Sequence, residues 1–100
     1  MRANILADIV AVSDRISSRN SSAIFGAIVE EVGELSTELN IRAGYKSRPP
    51  GPDGVVGEAI DALITLVDFL NNETDVFSQG FDARVQEKLV KWQNNVRRMS

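Results

Sequence analysis

Cysteine and histidine are both absent from this sequence of 100 residues. The lack of cysteine rules out disulfides, thiolate metal ligands and cysteine nucleophiles, and it fits a reducing cytoplasm. The lack of histidine also removes the usual zinc sites, the Ser-His-Asp triad and the Glu-x-x-His pairs of di-iron bundles. Any chemistry must therefore come from carboxylates, lysine, arginine, hydroxyl groups or a bound ion.

An excess of basic residues and a long apolar run are also missing. The chain has 11 Lys and Arg against 14 Asp and Glu, a net charge of −3. This balance argues against a nucleic-acid-binding surface, because phosphate backbones recruit clustered cations. The apolar run at residues 5–12 is too short to span a bilayer and is interrupted by Asp8. We expect a cytoplasmic protein that binds a small partner, with no nucleic acid and no membrane.

The length and the 43% hydrophobic content predict one domain over residues 1–100. A chain of this size buries only about two-thirds of the surface that its unfolded form exposes. A symmetric partner would add useful burial, so self-association is plausible from length alone.

Apolar residues recur at helical spacing in four segments, which predicts an all-α fold. The segments are residues 2–17, 22–41, 55–71 and 81–99. The third is apolar nearly all round, so we expect it to be buried on most sides. Trp92 lies in the apolar stripe of the fourth, where core packing is the better interpretation than base stacking. The expected architecture is four-helix and bundle-like, completed by dimerisation.

Residues 42–54 hold all three prolines and three of the seven glycines, which predicts a loop between the second and third helices. Arg42, Lys46 and Arg48 make this loop locally basic. Gly26 and Gly33 interrupt the second helix at about 1 kcal/mol each relative to alanine. Close approach of a neighbouring helix and simple tolerance explain these two glycines equally well.

Two acidic stripes follow helical spacing. Glu31, Glu34 and Glu38 stand at i, i+3 and i+7 on the second helix. On the third helix, Glu58 and Asp61 are followed in the same stripe by a threonine and by Asp68, in an otherwise apolar segment that contains no lysine or arginine. Carboxylates in such a setting are rarely buried without a partner or a metal.

The electrostatic cost of bringing the stripes together favours a cation. On an exposed face, like charges at these spacings cost only a few tenths of a kcal/mol per pair. At about 4 Å and an effective dielectric near 20, each carboxylate pair repels by roughly 4 kcal/mol. We expect the two most apolar helices to be neighbours, and oxygen ligands alone suit Mg²⁺, with Mn²⁺ as a substitute. For one acidic pair alone, a solvated face is the better interpretation.

The sequence Glu31-Val-Gly-Glu34, a spacer, and Glu58-Ala-Ile-Asp61 resembles the E-x-x-E, E-x-x-D signature of the MazG-like all-α nucleoside triphosphate pyrophosphohydrolases. The resemblance implies a MazG-type fold in which these four acids hold Mg²⁺. It also implies an enzyme that cleaves a nucleoside triphosphate between the α and β phosphates. Family members commonly form a homodimer or homotetramer.

The resemblance extends loosely into the fourth helix, where Lys91, Asn95 and Arg98 are similar to a K-x-x-x-N-x-x-R ending of the family and become candidates for substrate binding. A solvated polar face is the alternative for these three. Lys46 and Arg48 are candidates for phosphate contacts, with ordinary loop charge as the alternative.

Catalysis by a carboxylate would fall to Glu34 or Glu38, either of which could take the proton from the attacking water. For Glu38 and for Asp68, a supporting role and a solvated side chain are equally good interpretations. The loop lacks the tryptophans with which some relatives clamp a base, so base preference is left open. Two other functions compete: a nucleotide- or metal-binding module without turnover, and a structural helical bundle that mediates assembly.

Overall fold

The computed structural model describes residues 4–16 and 18–99, which contain four helices and no strand. The helices are α1 (Ile5–Ser13), α2 (Ser21–Arg42), α3 (Gly54–Glu73) and α4 (Gln79–Met99). The all-α, four-helix fold class is therefore confirmed. The main difference lies in α1, which ends at Ser13 where the apolar spacing predicted helix to residue 17; residues 1–3, 17 and 100 lie outside the described part.

Local signals set the bounds of α2. Asn20 caps its first turn, since the side-chain Oδ1 accepts a hydrogen bond from the backbone N–H of Ser22 at 2.8 Å. At the other end, Gly44 adopts a positive φ of 85° and the N–H of Tyr45 bonds to the carbonyl of Asn40 at 2.9 Å. A glycine in this left-handed conformation is a common way to close a helix, and it turns the chain into the proline-rich loop.

Helices α2 and α3 form an antiparallel pair. Ser21, at the start of α2, donates a hydrogen bond to Glu73 at the end of α3. Near the other end of α2, Glu38 accepts a hydrogen bond from Gly51, three residues before α3 begins. The two helices pack along their length, so the acidic residues of each are carried to a shared face.

Helix α1 packs on the C-terminal half of α3. The buried cluster there consists of Val10, Val67 and Val76, with partly buried side chains around it, including Phe81 of α4. Beside this cluster, Asp68 accepts hydrogen bonds from Ser13 Oγ at 2.5 Å and from Arg19 Nη2 at 2.7 Å. An apolar contact and a polar one therefore hold α1 and the α1–α2 connection against α3.

Much of the apolar surface stays open in this chain. Trp92 is 66% exposed, so the prediction that it packs in the core is wrong for the single chain. The prediction that α3 is buried on most sides is also wrong, since only Ala62 and Val67 of that helix are buried. Residues 82–99 of α4 are exposed throughout. Nothing lies within 4 Å of a Cβ placed at Gly26 or Gly33, which favours tolerance over close helix approach.

None of the described helices has the length and apolarity that a membrane span requires.

Candidate metal centre

Parts of the acidic stripes of α2 and α3 meet, as expected if these two apolar helices are neighbours. One carboxylate oxygen each from Glu31, Glu34 and Glu58 lies within 4.8 Å of the other two. A second group, formed by Asp53, Glu58 and Asp61, satisfies the same distance. Glu58 belongs to both groups, so the five acids form one continuous cluster between the two helices, called here the acid cluster.

Asp53 is the member of the acid cluster that sequence reasoning missed. It is the last residue of the loop, immediately before the first residue of α3. Helical spacing cannot identify it, because it lies outside the helix and five positions before Glu58. The signal in the sequence was its position directly before the helix start, where an aspartate is usually interpreted as a cap. Here the Asp53 side chain makes no capping hydrogen bond.

The pKa values of two members are raised by burial first and by the neighbouring carboxylates second. Removal from water raises the pKa of Glu58 to about 7, and a hydrogen bond with Glu34 and the charges of Glu34, Asp53 and Asp61 add to the effect. Removal from water also raises the pKa of Glu31, together with the charges of Glu34 and Asp61. The cluster therefore resists holding all of its negative charge without a compensating cation.

The donor atoms of the cluster fit a hard divalent cation. The Oε2 atoms of Glu31 and Glu58 are buried and have no hydrogen-bond partner. Among residues 4–16 and 18–99, no lysine or arginine forms an ion pair with these acids. Buried, unpaired carboxylate oxygens with no competing nitrogen or sulfur donors are the set that Mg²⁺ or Mn²⁺ prefers.

Glu38 has a different environment from the rest of its stripe. Its side chain is only 8% exposed, and Oε1 accepts a hydrogen bond from the backbone N–H of Gly51 at 2.8 Å. It belongs to neither acidic group. The interpretation of Glu38 as a solvated side chain is therefore wrong, and its contact is with the loop backbone.

Asp68 is likewise not a solvated side chain, because only 16% of it is exposed. Burial would raise its pKa, but the hydrogen bonds from Arg19 and Ser13 and the charge of Arg19 outweigh burial and lower it. Asp68 lies two helical turns beyond Asp61 on α3. Its contacts support the fold around the acid cluster rather than the cluster itself.

Two clefts flank the acid cluster along α3. The first, called here the arginine cleft, has a volume of about 580 Å³ and lies between the end of α2, the loop and the start of α3. Its lining includes Arg42, Arg48 and Asp53. The second, of about 360 Å³, lies between α1 and α3 and is lined mainly by apolar side chains such as Val12 and Ile64.

The remaining predicted substrate residues are not all brought to the acids. Arg48 lines the arginine cleft, whereas Lys46 is exposed on the loop outside it. Lys91, Asn95 and Arg98 lie on the exposed length of α4, which beyond Phe81 does not pack against α2 or α3 in the described part of the chain. A single chain therefore does not place these three α4 residues beside the acid cluster.

No family model, curated protein or solved structure matches the chain. The resemblance to the MazG-like enzymes therefore depends on the residue pattern alone and stays a prediction.

Proposed function

We propose that the chain is a Mg²⁺-dependent nucleoside triphosphate pyrophosphohydrolase that releases a nucleoside monophosphate and pyrophosphate. One observation carries the proposal: two acidic groups from facing helices share Glu58 and contain buried oxygens without partners. Structural helix pairs do not need such a cluster, since its mutual repulsion has to be relieved by a bound cation or by protonation. Glu31, Glu34, Glu58 and Asp61 would hold the metal.

Bound Mg²⁺, or Mn²⁺ in its place, would supply charge neutralisation for the phosphates and activation of water. The side chains of the protein then have simple tasks. A water oxygen forms a bond to the α phosphorus, the bond from that phosphorus to the α–β bridging oxygen breaks, and pyrophosphate leaves with the electron pair. Glu34 takes the proton that the water loses.

The environments of the two candidate bases favour Glu34. Its carboxylate lies in the acid cluster, within 4.8 Å of Glu31 and Glu58 oxygens. Glu38 is buried and its Oε1 is engaged by the Gly51 N–H. A base must reach its proton directly or through one water, and Glu38 is tied to the loop instead. We assign Glu38 to holding the loop and Asp68 to supporting the helices.

The proposed activity is tested with a panel of canonical and modified nucleoside triphosphates in the presence of Mg²⁺, with pyrophosphate as the measured product. The wild-type protein should release pyrophosphate from at least one of them. Asp61→Asn should abolish release with helicity unchanged, whereas Glu30→Gln, a matched change at an exposed position beside the stripe, should not. Absence of pyrophosphate from every nucleotide would contradict the proposal.

The exposed apolar surface supports a homodimer or homotetramer as the working form. The chain exposes 7631 Å², against about 5,600 Å² expected for a folded monomer of this mass. Its radius of gyration is 16.3 Å, against about 13 Å for a compact chain of this length. The chain therefore exposes about 2,000 Å² more surface than expected, which is larger than the roughly 800 Å² that each partner buries in a standard interface.

A partner copy would also supply what one chain lacks. Lys91, Asn95 and Arg98 lie on an exposed helix that does not reach the acid cluster of its own chain. In a symmetric assembly, they become available to the acid cluster of the partner copy as substrate-binding residues. Lys46, exposed on the loop, remains a candidate for a phosphate contact. A cytoplasmic location remains a prediction from composition.

The same apolar surface favours the second candidate, an assembly protein whose acids take no part in turnover. That protein would self-associate but would release no pyrophosphate and would gain no stability from Mg²⁺. A third outcome, Mg²⁺-dependent nucleotide binding without product, would indicate a binding module that has lost catalysis. The nucleotide panel and a Mg²⁺ titration together distinguish these cases.

A further inference from the structure

We infer that the arginine cleft binds the pyrophosphate portion of the substrate, through Arg42 and Arg48. The identity of this anion rests on the proposed function. The inference adds the direction in which the substrate lies: the β and γ phosphates toward the loop and the nucleoside toward α1. It also adds Arg42, which the motif-based candidates did not include.

The charges of the arginine cleft are the first support. The side chains of Arg42 and Arg48 form no ion pair or hydrogen bond with another described residue. Both side chains are exposed to solvent and line the same cleft, so their guanidinium groups are available to an anion. Guanidinium groups bind phosphate oxygens with two parallel hydrogen bonds, which makes arginine well suited to this anion.

The two acids that line the same cleft balance this charge while no metal is bound. Glu38 lines it, and its Oε1 accepts a hydrogen bond from the N–H of Gly51. Asp53 lines it too, and it is at the same time a member of the acid cluster with Glu58 and Asp61. A cation held by the cluster would offset Asp53, so the cleft becomes net positive only when the metal is present.

The position of the cleft is the second support. Asp53 borders both the arginine cleft and the acid cluster, so the two are continuous. Val55 of the cleft and Glu58 of the cluster are about 4.5 Å apart along the helix axis, a distance that two linked phosphates can bridge. A triphosphate whose α phosphate lies at the acids can therefore extend its β and γ phosphates into the cleft that Arg42 and Arg48 line.

The opposite orientation of the substrate, with its β and γ phosphates toward α1, is unfavourable. On the other side of the acids, the cleft between α1 and α3 has a mainly apolar surface from side chains such as Ile64, and its lining also includes the acids Asp8 and Asp68. Burying the charged end of a triphosphate there would leave its oxygens without donors at a large cost in solvation. A nucleoside suits that cleft better than a phosphate does, which leaves the arginine cleft for the pyrophosphate portion.

The loop that presents Arg48 is held in place. Glu38 ties Gly51 to α2, and a Cβ at Gly51 would lie 2.6 Å from Glu38 Oε1, so the loop approaches α2 closely. At the far end, Gly54 has a φ of 65°, a left-handed conformation that favours glycine, and it begins α3. No side chain caps the first turn of α3, so its positive end adds to the field in the cleft.

The test is isothermal titration with inorganic pyrophosphate, which reports binding whether or not the protein turns over a nucleotide. Arg42→Ala and Arg48→Ala should each weaken binding in the presence of Mg²⁺ by about tenfold or more. Arg42→Lys and Arg48→Lys should recover only part of the affinity, because lysine cannot make the paired hydrogen bonds. Arg15→Ala, the same charge change at an exposed turn, should bind like wild type.

Control experiments distinguish a loss of binding in the cleft from a loss of the fold and from a failure of the proposed function. Mg²⁺ titration of each arginine variant without pyrophosphate should match wild type, which shows that the acid cluster is intact. Unchanged pyrophosphate affinity in both alanine variants, an equal loss in Arg15→Ala, or no binding by wild type would overturn the inference. If the wild type releases pyrophosphate from a nucleotide but its pyrophosphate affinity does not depend on the arginines, the inference about the cleft alone is refuted. If the affinity depends on the arginines but no nucleotide is cleaved, the proposed enzyme activity alone is refuted.

Discussion

Glu38 Oε1 and the backbone N–H of Gly51 lie 2.8 Å apart, joining the last turns of α2 to the proline-rich loop. The contact is buried on the Glu38 side, where only 8% of the residue is exposed. A side chain at position 51 would force Glu38 to shift, because a Cβ there would lie 2.6 Å from the same oxygen. This one hydrogen bond therefore sets where Arg48 and Asp53 stand relative to α2.

Gly51→Ala should destabilise the protein by about 1–3 kcal/mol, because the added methyl displaces Glu38 Oε1 and leaves a buried acceptor unpaired. The free energy of unfolding in urea is the measurement. Gly26→Ala is the matched control: it lies in α2 with open space around it, and it should stabilise by up to about 1 kcal/mol. Equal effects at the two positions would mean that the loop contact is not made.

Glu38→Gln and Glu34→Gln should separate loop positioning from base catalysis. Glutamine keeps an oxygen that accepts the Gly51 N–H, so Glu38→Gln should retain most pyrophosphate release. Glu34→Gln removes the proposed base, which is also one of the four proposed metal ligands, and should lower the rate by about 10²-fold or more. Initial rates of pyrophosphate release, with circular dichroism to verify helicity, decide the matter. A comparable loss in Glu38→Gln would shift the role of base to Glu38.

Mg²⁺ should raise the melting temperature of the wild-type protein at fixed protein concentration. A ligand that binds only the folded state stabilises it by about 2.7 kcal/mol at 100 times its dissociation constant. Glu58→Gln should lose most of this gain, because Glu58 is the residue common to both acidic groups. Glu87→Gln, an exposed change on α4, should keep it. A melting temperature that does not change when Mg²⁺ is added would favour the assembly protein over the enzyme.

Asp68 should make stability fall in acid. Its pKa is lower in the folded protein than the ordinary value of 3.8, so the folded state binds fewer protons there than the unfolded chain. Its contribution is therefore present above the unfolded pKa and is lost as pH falls through the folded one. Asp68→Asn should lose about 1–3 kcal/mol at pH 7 by weakening the Arg19 and Ser13 contacts.

The corresponding measurement is urea unfolding at pH 7 and again near pH 3. The difference in unfolding free energy between the two pH values should be smaller for Asp68→Asn than for wild type, because the variant has no carboxyl to protonate at this position. Glu87→Gln, which removes an exposed carboxyl of α4, should leave the difference close to that of wild type. An unchanged difference in Asp68→Asn would show that Asp68 does not carry the acid response.

Leu89→Asp should dissociate the proposed assembly. Leu89 is 39% exposed on the apolar stripe of α4, where it is accompanied by Val85 and Trp92. A charge inside an apolar interface has no partner there and costs more than the contact contributes. Multi-angle light scattering should show the wild type at a multiple of 11.0 kDa and the variant at a smaller one. Asn94→Asp, on the polar face of the same helix, should leave the mass unchanged.

Helix content was predictable because apolar spacing and glycine or proline punctuation are local properties. The ends of α2 and α3 lie within two residues of those predicted from the pattern. The meeting of the acidic stripes was predictable as well, since helical periodicity fixes which residues share a face. The contributions of Asp53 and Arg42 were not, because both lie at helix ends, where the relevant neighbours come from the loop and not from the repeat.

Burial was the property on which sequence reasoning failed. The apolar stripe containing Trp92 has the same pattern whether its partner is the rest of the chain or another molecule, so the pattern cannot distinguish the two. The structure leaves that stripe open and gives the buried carboxylate of Glu38 a loop amide as its partner. Neither fact is encoded in spacing alone.

The sequence by itself determined four helices, a basic proline-rich loop and two acidic faces, because each follows from neighbours within a few residues. Tertiary structure decided that Glu58 joins two acidic groups, that Glu38 holds Gly51, and that Arg42 and Arg48 share a cleft beside Asp53. Those relationships depend on the antiparallel packing of α2 on α3, which brings together residues such as Glu38 and Gly51 that are 13 positions apart. Packing of that kind is a property of the whole chain, and no local pattern specifies its distances.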